Sequence, residues 1–509
     1  MNKDMNESTV SHFLDDVTGQ ISYKPLRPSI RQELEEHIQD CADYYEGQGL
    51  CAADAKQQAV RSMGDAITIG TELNEAHKLQ NAPLPASITA LLFLTGIAFS
   101  VFMRWRPQEI PDVSRYYIAA PFLFLFTTLK GYPLLIRHRK KLFFFLCILY
   151  LSQMAIFYLA SQRGFLFGTA TTAYCATLLF ALVITFQLYC YRRCMKKAFA
   201  VVFGSAVIWV VLMYCSTLYI SSTAVTIFLL STFCTVCFMI RRGVICGRKR
   251  YLYSGALVCL AVLGSPFFNT AHNRSEAEAF LSPQSNVTSV LDDTYNSVLI
   301  RELLSRTPFT HGLELTSGEL MDYGTGAWYF AGRDPQQIGI ETSGMHTEAF
   351  RQEWRRRASE ISRRGQHYRP YYVDYSSDNV TVWDILPRHY RSNYLIAVCI
   401  IIFGWLPGLA LTGGVLLLYV SLFCCISRIH GYLASSLAFC CGQCLLWQGI
   451  FYILGNFGHQ YSTFPNLPLL SEGRAGILFS MLLLGFIFSA YRYDRVIAEP
   501  EGCSPAASG

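Results

Sequence analysis

The 509-residue chain is 52 % hydrophobic, 14 % aromatic and only 15 % charged, and from residue 86 onward one long apolar stretch follows another. No soluble domain of this size buries so many uniformly apolar segments in a single core, so an ordinary globular enzyme is excluded. The net charge of +6 sits largely in short basic clusters between those stretches and does not argue for a nucleic-acid partner.

Residues 1–80 differ from the rest: charged, helical and soluble in character. Pro25 and Pro28 suit the start of a helix through Ser29–Ile38, and Gly47 and Gly49 end it. A second helix begins at Ala52 and closes at Met63-Gly64-Asp65, and a third runs from Ile67 to His77. Leu34, Ile38, Tyr45, Ala55, Ala59, Val60, Ile69 and Leu73 supply a common apolar set. His37 among Glu33, Glu36 and Asp40 reads as a solvated face rather than a metal site. Tyr23-Lys24-Pro25-Leu26-Arg27-Pro28, Glu33-Leu34-Glu35-Glu36-His37-Ile38, the Gly49/Ala55/Ala59-Val60 spacing and Met63-Gly64-Asp65 resemble the permease prefix domain found ahead of membrane proteins. That resemblance implies a small docking or regulatory module that answers to a cytoplasmic regulator and has no catalytic residues. A Pro-containing linker, 81–85, joins it to the body.

The body, 86–495, reads as an all-α polytopic membrane domain. Apolar runs near 86–104, 116–136, 142–161, 169–191, 198–220, 222–240, 251–269, 394–425, 433–456 and 475–492 are each about 18–25 residues long, enough to cross a ~30 Å hydrocarbon layer. That makes about ten transmembrane helices. Basic clusters at Arg137, Arg139, Lys140 and Lys141, at Arg192, Arg193, Lys196 and Lys197, and at Arg241, Arg242, Arg248, Lys249 and Arg250 fall in alternate loops. By the positive-inside rule both termini are cytoplasmic, and residues 270–393 form a large external loop between helices seven and eight. The N-terminus is polar, the first apolar run is long enough to remain as an anchor, and residues 496–509 read as a disordered cytoplasmic tail.

Almost all of the 18 cysteines lie in the spans or the head, and 270–393 contains none, so they read as small apolar residues rather than a disulfide scaffold. Lys130 lies close enough to a helix end to snorkel. Gln153, Gln187, Gln443 and Gln448 are uncharged and suit bridges between helices. In the external segment Arg351, Arg355, Arg356, Arg357, Arg363, Arg364 and Arg369 crowd around Phe350, Trp354, Ala358 and Ile361 at helical spacing. This is an amphipathic interfacial pattern, fit either for a pyrophosphate or for bulk anionic lipid.

Three patches carry a second resemblance. Asn466-Leu467-Pro468-Leu469-Leu470-Ser471-Glu472-Gly473-Arg474 is similar to an "LPFxSxGGS" stretch, and Leu484–Tyr493 continues it. Leu386-Pro387, Ser392-Asn393-Tyr394-Leu395 and Phe403-Gly404-Trp405-Leu406-Pro407-Gly408 are similar to an "LP…(S/T)DFI…(L/Y)G" passage. Tyr295-Asn296, Leu303-Leu304 and Phe309-Thr310-His311-Gly312 echo a "YQ…GxG" opening. With ten helices and one large external loop, the chain resembles the FtsW/RodA/SpoVE (SEDS) peptidoglycan polymerases.

The resemblance implies a glycosyltransferase of the bacterial plasma membrane that polymerises lipid II, or another undecaprenyl-linked substrate, in cell-wall synthesis, division, shape or sporulation. It implies a class B penicillin-binding protein transpeptidase as partner, and a divalent ion, Mg or Mn, to share the pyrophosphate charge. Arg351, Arg355, Arg356, Ser471 and Arg474 are the implied substrate-binding residues. The family's key carboxylate, an Asp at the start of helix eight, corresponds to Asn393, and an amide has no basic oxygen. Asp384 or Asp378 is the alternative carboxylate. Two further readings stay open: an inactive scaffold that recruits the transpeptidase, and a transporter of a lipid-linked sugar, for which the spans lack mid-membrane ionisable groups and repeats.

Overall fold

The computed structural model describes residues 2–104, 114–138, 148, 169–194, 196–197, 200, 203–204, 222–283, 293–316, 319–320, 381–387, 390–462, 467–470, 474–497 and 499. The expected spans at 142–161 and 198–220, most of the external segment and almost all of the tail lie outside them. Among the described residues the chain is helical and has no strand. Six helices are long and apolar enough to cross a membrane: Pro83–Phe102, Tyr116–Arg137, Ser222–Arg241, Trp405–Ser427, Tyr432–Asn456 and Gly476–Tyr493. The chain is a multi-pass membrane protein.

The head contains one helix more than the apolar spacing announces. α1 (Asn2–Gly19) precedes α2 (Arg27–Gly47), α3 (Ala52–Met63) and α4 (Ala66–Ala76). Phe13, Leu14 and Val17 of α1 close a core with Ile38, Ala42 and Ala59, against which Leu34, Tyr45, Val60, Ile69 and Leu73 pack. Asp65 caps α4, its carboxylate accepting from the Thr68 amide at 2.9 Å. Those bonds hold the Asp65 carboxyl below its ordinary range.

The body continues with α5 (Pro83–Arg104), α6 (Ser114–Arg137), α7 (Thr169–Cys190), α8 (Ser222–Arg241) and α9 (Lys249–Phe268). Two short helices follow, α10 (Ala271–Leu281) and α11 (Asp293–Arg306). Next come the turns α12 (Val382–Ile385) and α13 (Tyr390–Asn393), then α14 (Leu395–Phe403), α15 (Trp405–Ser427), α16 (Tyr432–Asn456) and α17 (Arg474–Tyr493). α17 packs most extensively on α6. A Cβ at Gly485 would lie 2.9 Å from the Phe124 carbonyl, so only glycine lets the backbones approach this closely. Pro133 inside α6 has no N–H for the Leu129 carbonyl, and the Tyr493 hydroxyl donates to that carbonyl instead at 2.8 Å.

The apolar run 394–425 is not one helix. It breaks at Gly404, whose φ of +95° suits glycine alone, into the nine-residue α14 and the long α15. α14 folds back, for a Cβ on Gly408 would fall 2.1 Å from the Ile400 side chain. At about 1.5 Å per residue α14 is far too short to cross a bilayer. The polar backbone at the break between α14 and α15 is met by the chain after α11. The Leu313 amide donates to the Ile401 carbonyl at 2.8 Å, the Leu406 amide to Phe309 at 3.0 Å and the Trp405 amide to Pro308 at 3.3 Å. Irregular backbone at such depth is tolerated where protein surrounds it. Part of the segment read as an external loop is therefore core: Leu299, Ile300, Leu303 and Leu304 of α11 are buried in the main cluster.

Candidate functional site

The first turn of α14 has no local cap, since Tyr394 offers no side-chain bond there. Its free amides are met from α16. The Leu395 amide donates to the Tyr452 hydroxyl at 3.0 Å, and the Ala397 amide to Asn456 Oδ1 at 3.0 Å. Asn456 Nδ2 donates in turn to the Asn393 and Tyr452 carbonyls, at 3.0 and 2.9 Å. Asn456 and Tyr452 are fully buried, so each of these bonds replaces one that water cannot supply. The Tyr394 hydroxyl donates to Gln460 Oε1 at 2.6 Å, which ties the same turn to the loop after α16. Asn393 is thus fixed at its backbone, half-buried, at the N-terminal end of α14. A helix N-terminus favours negative charge, so a carboxylate at that position would be held ionised.

Arg301 of α11 lies over the loop after α16, close enough that a Cβ on Gly458 would meet its side chain at 2.0 Å. Nearby, Thr316 and Glu319 form a reciprocal cap. The Thr316 amide donates to Glu319 at 2.9 Å, the Glu319 amide donates back to the Thr316 hydroxyl, and Arg306 pairs with the same carboxylate. The Thr316 amide, then Arg306, then the Thr316 hydroxyl hold the Glu319 carboxyl down to about 2.

Two of the sequence patches meet on one helix. Leu469, buried with a φ of +72°, places its carbonyl against α5, where a Cβ on Gly96 would come within 2.5 Å. A left-handed leucine is strained, and such strain persists where the surroundings over-determine it. Two turns along the same helix, Phe102 packs on Phe403 at the end of α14 and on Trp383 of α12, with ring centroids 5.3 and 6.3 Å apart. Trp383 also meets Tyr390 of α13, at 5.8 Å. The turns that carry Asp384 and Asn393 and the loop that leads to Arg474 therefore share α5 as a floor. Arg474 opens α17. The side chains of Asp384 and Arg474, and all of Arg351, Arg355, Arg356, Asp378 and Ser471, lie outside the described residues.

No protein-family model matches the chain, and no curated protein matches it. Among solved structures it is similar to a chain in one described as "Structural coordination of polymerization and crosslinking by a peptidoglycan synthase complex", at 14 % identity and a TM-score of 0.47, over 81 % of this chain and 97 % of that one.

Among the described residues no group of three His, Cys, Asp or Glu side chains is placed to hold a metal ion. The described part thus offers no ligand set for Mg or Mn. Tyr452, Asn456, Gln460 and Arg301 escape a reading by motif. Asn456 carried a signal, as a polar residue at the end of a long apolar run.

Proposed function

We propose that the chain is a SEDS-like peptidoglycan glycosyltransferase that polymerises lipid II at the bacterial plasma membrane in cell-wall synthesis. The observation that supports this reading is that the passages resembling the family, around 383–408 and 466–474, pack on the same stretch of α5, Gly96–Phe102. In this reading the acceptor sugar hydroxyl attacks the anomeric carbon of the donor. The bond from that carbon to the lipid pyrophosphate breaks, and a carboxylate takes the hydroxyl proton. Asp384 is the carboxylate in this role, with Asn393 marking the family's position beside it. Arg351, Arg355, Arg356 and Arg474 receive the pyrophosphate through charge-assisted bonds, and Ser471 lies in the same loop as Arg474.

A second reading, a scaffold that recruits a class B penicillin-binding protein transpeptidase, is favoured by one observation: Asn393 is an amide where the family has its carboxylate. Purified full-length chain given fluorescent lipid II, with and without such a transpeptidase, separates the two. Polymer from wild type that vanishes in Asp384→Asn supports the assigned carboxylate. Polymer only from Asn393→Asp, with a gain of about 10²–10⁴ in rate, places the chemistry at 393. No polymer from any folded variant sinks the enzyme reading, and co-purification with the transpeptidase then becomes the scaffold's own test.

A further inference from the structure

At the end of the bundle remote from Asn393, α7, α8 and α9 enclose a narrow apolar groove, partly open to its surroundings. Leu188, Phe228, Val236, Leu252 and Leu263 line it, and the Thr232 hydroxyl is a rare polar group there. The lining residues of α9 run from Leu252 to Leu263, about 16 Å at 1.5 Å per residue. That is the depth of a single leaflet in a ~30 Å hydrocarbon layer.

One end of the groove, at Ile240, Ile245 and Leu252, lies in the most cationic stretch of the bundle. The Cys246 amide donates to the Arg192 carbonyl at 3.2 Å, so the loop between α8 and α9 is stitched to the end of α7. Two basic clusters that are far apart in sequence become one patch. Arg192 and Arg242 are engaged elsewhere: Arg192 lies over the Tyr189 ring at 3.9 Å, and Arg242 donates to the Ile429 carbonyl at 2.8 Å. Arg193, Arg241, Arg248 and Arg250 are exposed, and among the described residues none of them is paired with a carboxylate. Glu499, which reaches the end of α7, is occupied by the Tyr189 hydroxyl and by the Leu433 and Ala434 amides.

We infer that this groove holds one acyl chain of an anionic phospholipid, with its phosphate received by Arg193, Arg248 and Arg250. A chain-deep apolar groove that ends in unpaired guanidinium groups matches the two halves of such a lipid. Cations set at this depth attract an anionic headgroup over a zwitterionic one. The site is separate from the proposed glycosyl-transfer site and stands or falls without it.

Native mass spectrometry of the full-length chain, released from mixed micelles of phosphatidylglycerol and phosphatidylcholine, tests it. Wild type retains one phosphatidylglycerol in preference to phosphatidylcholine. Arg248→Gln and Arg250→Gln each lower that retention about five-fold. Arg137→Gln, which removes the same charge at the end of α6, leaves it unchanged. Ala256→Phe fills the groove and removes retention without touching charge, and Ala256→Leu does so in part if the larger side chain disturbs folding. Equal retention of both lipids, or full retention in both Ala256 variants with intact thermal unfolding, overturns the inference. So does displacement of phosphatidylglycerol by an equimolar polyprenyl phosphate, which would make the groove an isoprenoid site.

Discussion

The two ends of α16 face the same physical problem and answer it with different chemistry. At the basic end, the α16 N-terminus begins at Gly431, which has no side chain to cap it. Carboxylates from the chain after α17 come instead: Asp494 takes the His430 and Gly431 amides at 2.8 and 2.7 Å, and Glu499 takes the Leu433 amide at 2.6 Å. At the other end α16 is the donor of help, and the groups that it lends to the start of α14 are a hydroxyl and an amide. The His430 side chain is 73 % exposed, but the Asp494 side chain beside it is covered, as are Asn456 and Tyr452. At the basic end a covered carboxylate is matched by converging backbone amides and the His430 imidazole, whereas at the other end neutral groups meet the backbone with no charge to desolvate. The lesson concerns the candidate site. The protein holds the turn at Asn393 without spending a charge there.

The sharpest way to break this comparison is Asn456→Leu. It orphans the Ala397 amide and the Asn393 carbonyl inside the protein, each worth roughly 1–3 kcal/mol. The thermal unfolding midpoint in detergent falls further than for any other variant described below. Asn456→Asp keeps the acceptor for Ala397 but loses the donor and buries a charge, so it recovers little. If Asn456→Leu unfolds like wild type, the clamp does not hold α14.

Next in size is Asp494→Ala at the opposite end. Two amides and His430 lose an acceptor, but solvent replaces part of it, so the cost is about 1–2 kcal/mol, as for a lost helix cap. The same change also loosens the place where the head meets the body. There the Gln80 amide donates to the Arg492 carbonyl at 3.1 Å, and Tyr23 packs edge-on to Tyr493 at 6.1 Å. Limited proteolysis of the 77–83 segment therefore speeds up in Asp494→Ala and stays unchanged in Asn456→Leu at temperatures where both are folded.

How much of this was legible follows from how far apart the partners are. The spans at 222–241, 432–456 and 476–493 announce themselves because an apolar run of that length has few other uses. The break at Gly404 does not, because both flanking segments are equally apolar and only the Gly404–Pro407–Gly408 spacing hints at a new helix start. α1 is missed because its buried face is only Phe13, Leu14 and Val17 within a polar segment. At the candidate site the motif marks Asn393, while the residue that fixes it, Asn456, lies 63 positions away. Local pattern carries no trace of such a pairing.

A smaller effect tests whether orphaned acceptors follow the same logic as orphaned donors. Tyr493→Phe removes the hydroxyl that satisfies the Leu129 carbonyl, freed by Pro133, and costs about 0.5–1.5 kcal/mol. Adding Pro133→Ala supplies a backbone N–H to that carbonyl and restores most of the loss. A double mutant no more stable than Tyr493→Phe alone would mean that the hydroxyl acts through packing on Tyr23.

The smallest effect belongs to the cap that is open to water and local in sequence, Thr316 with Glu319. Glu319 is partly exposed, and its carboxyl is held down to about 2 by the Thr316 amide, Arg306 and the Thr316 hydroxyl. Because the folded value lies below the ordinary one near 4.5, its contribution is complete above pH 4.5. It fades as pH falls from there toward about 2. Wild type therefore exceeds Glu319→Gln in unfolding midpoint by a small, constant margin at neutral pH, and the two curves converge on acidification. Salt narrows the margin as well, since an exposed pair with Arg306 is screened over a Debye length of about 8–10 Å. The buried Asn456 clamp has no member that changes charge on acidification, so the deficit of Asn456→Leu stays flat across the same pH and salt range. If that deficit tracked pH as Glu319→Gln does, charge would not be what divides the two kinds of cap in this fold.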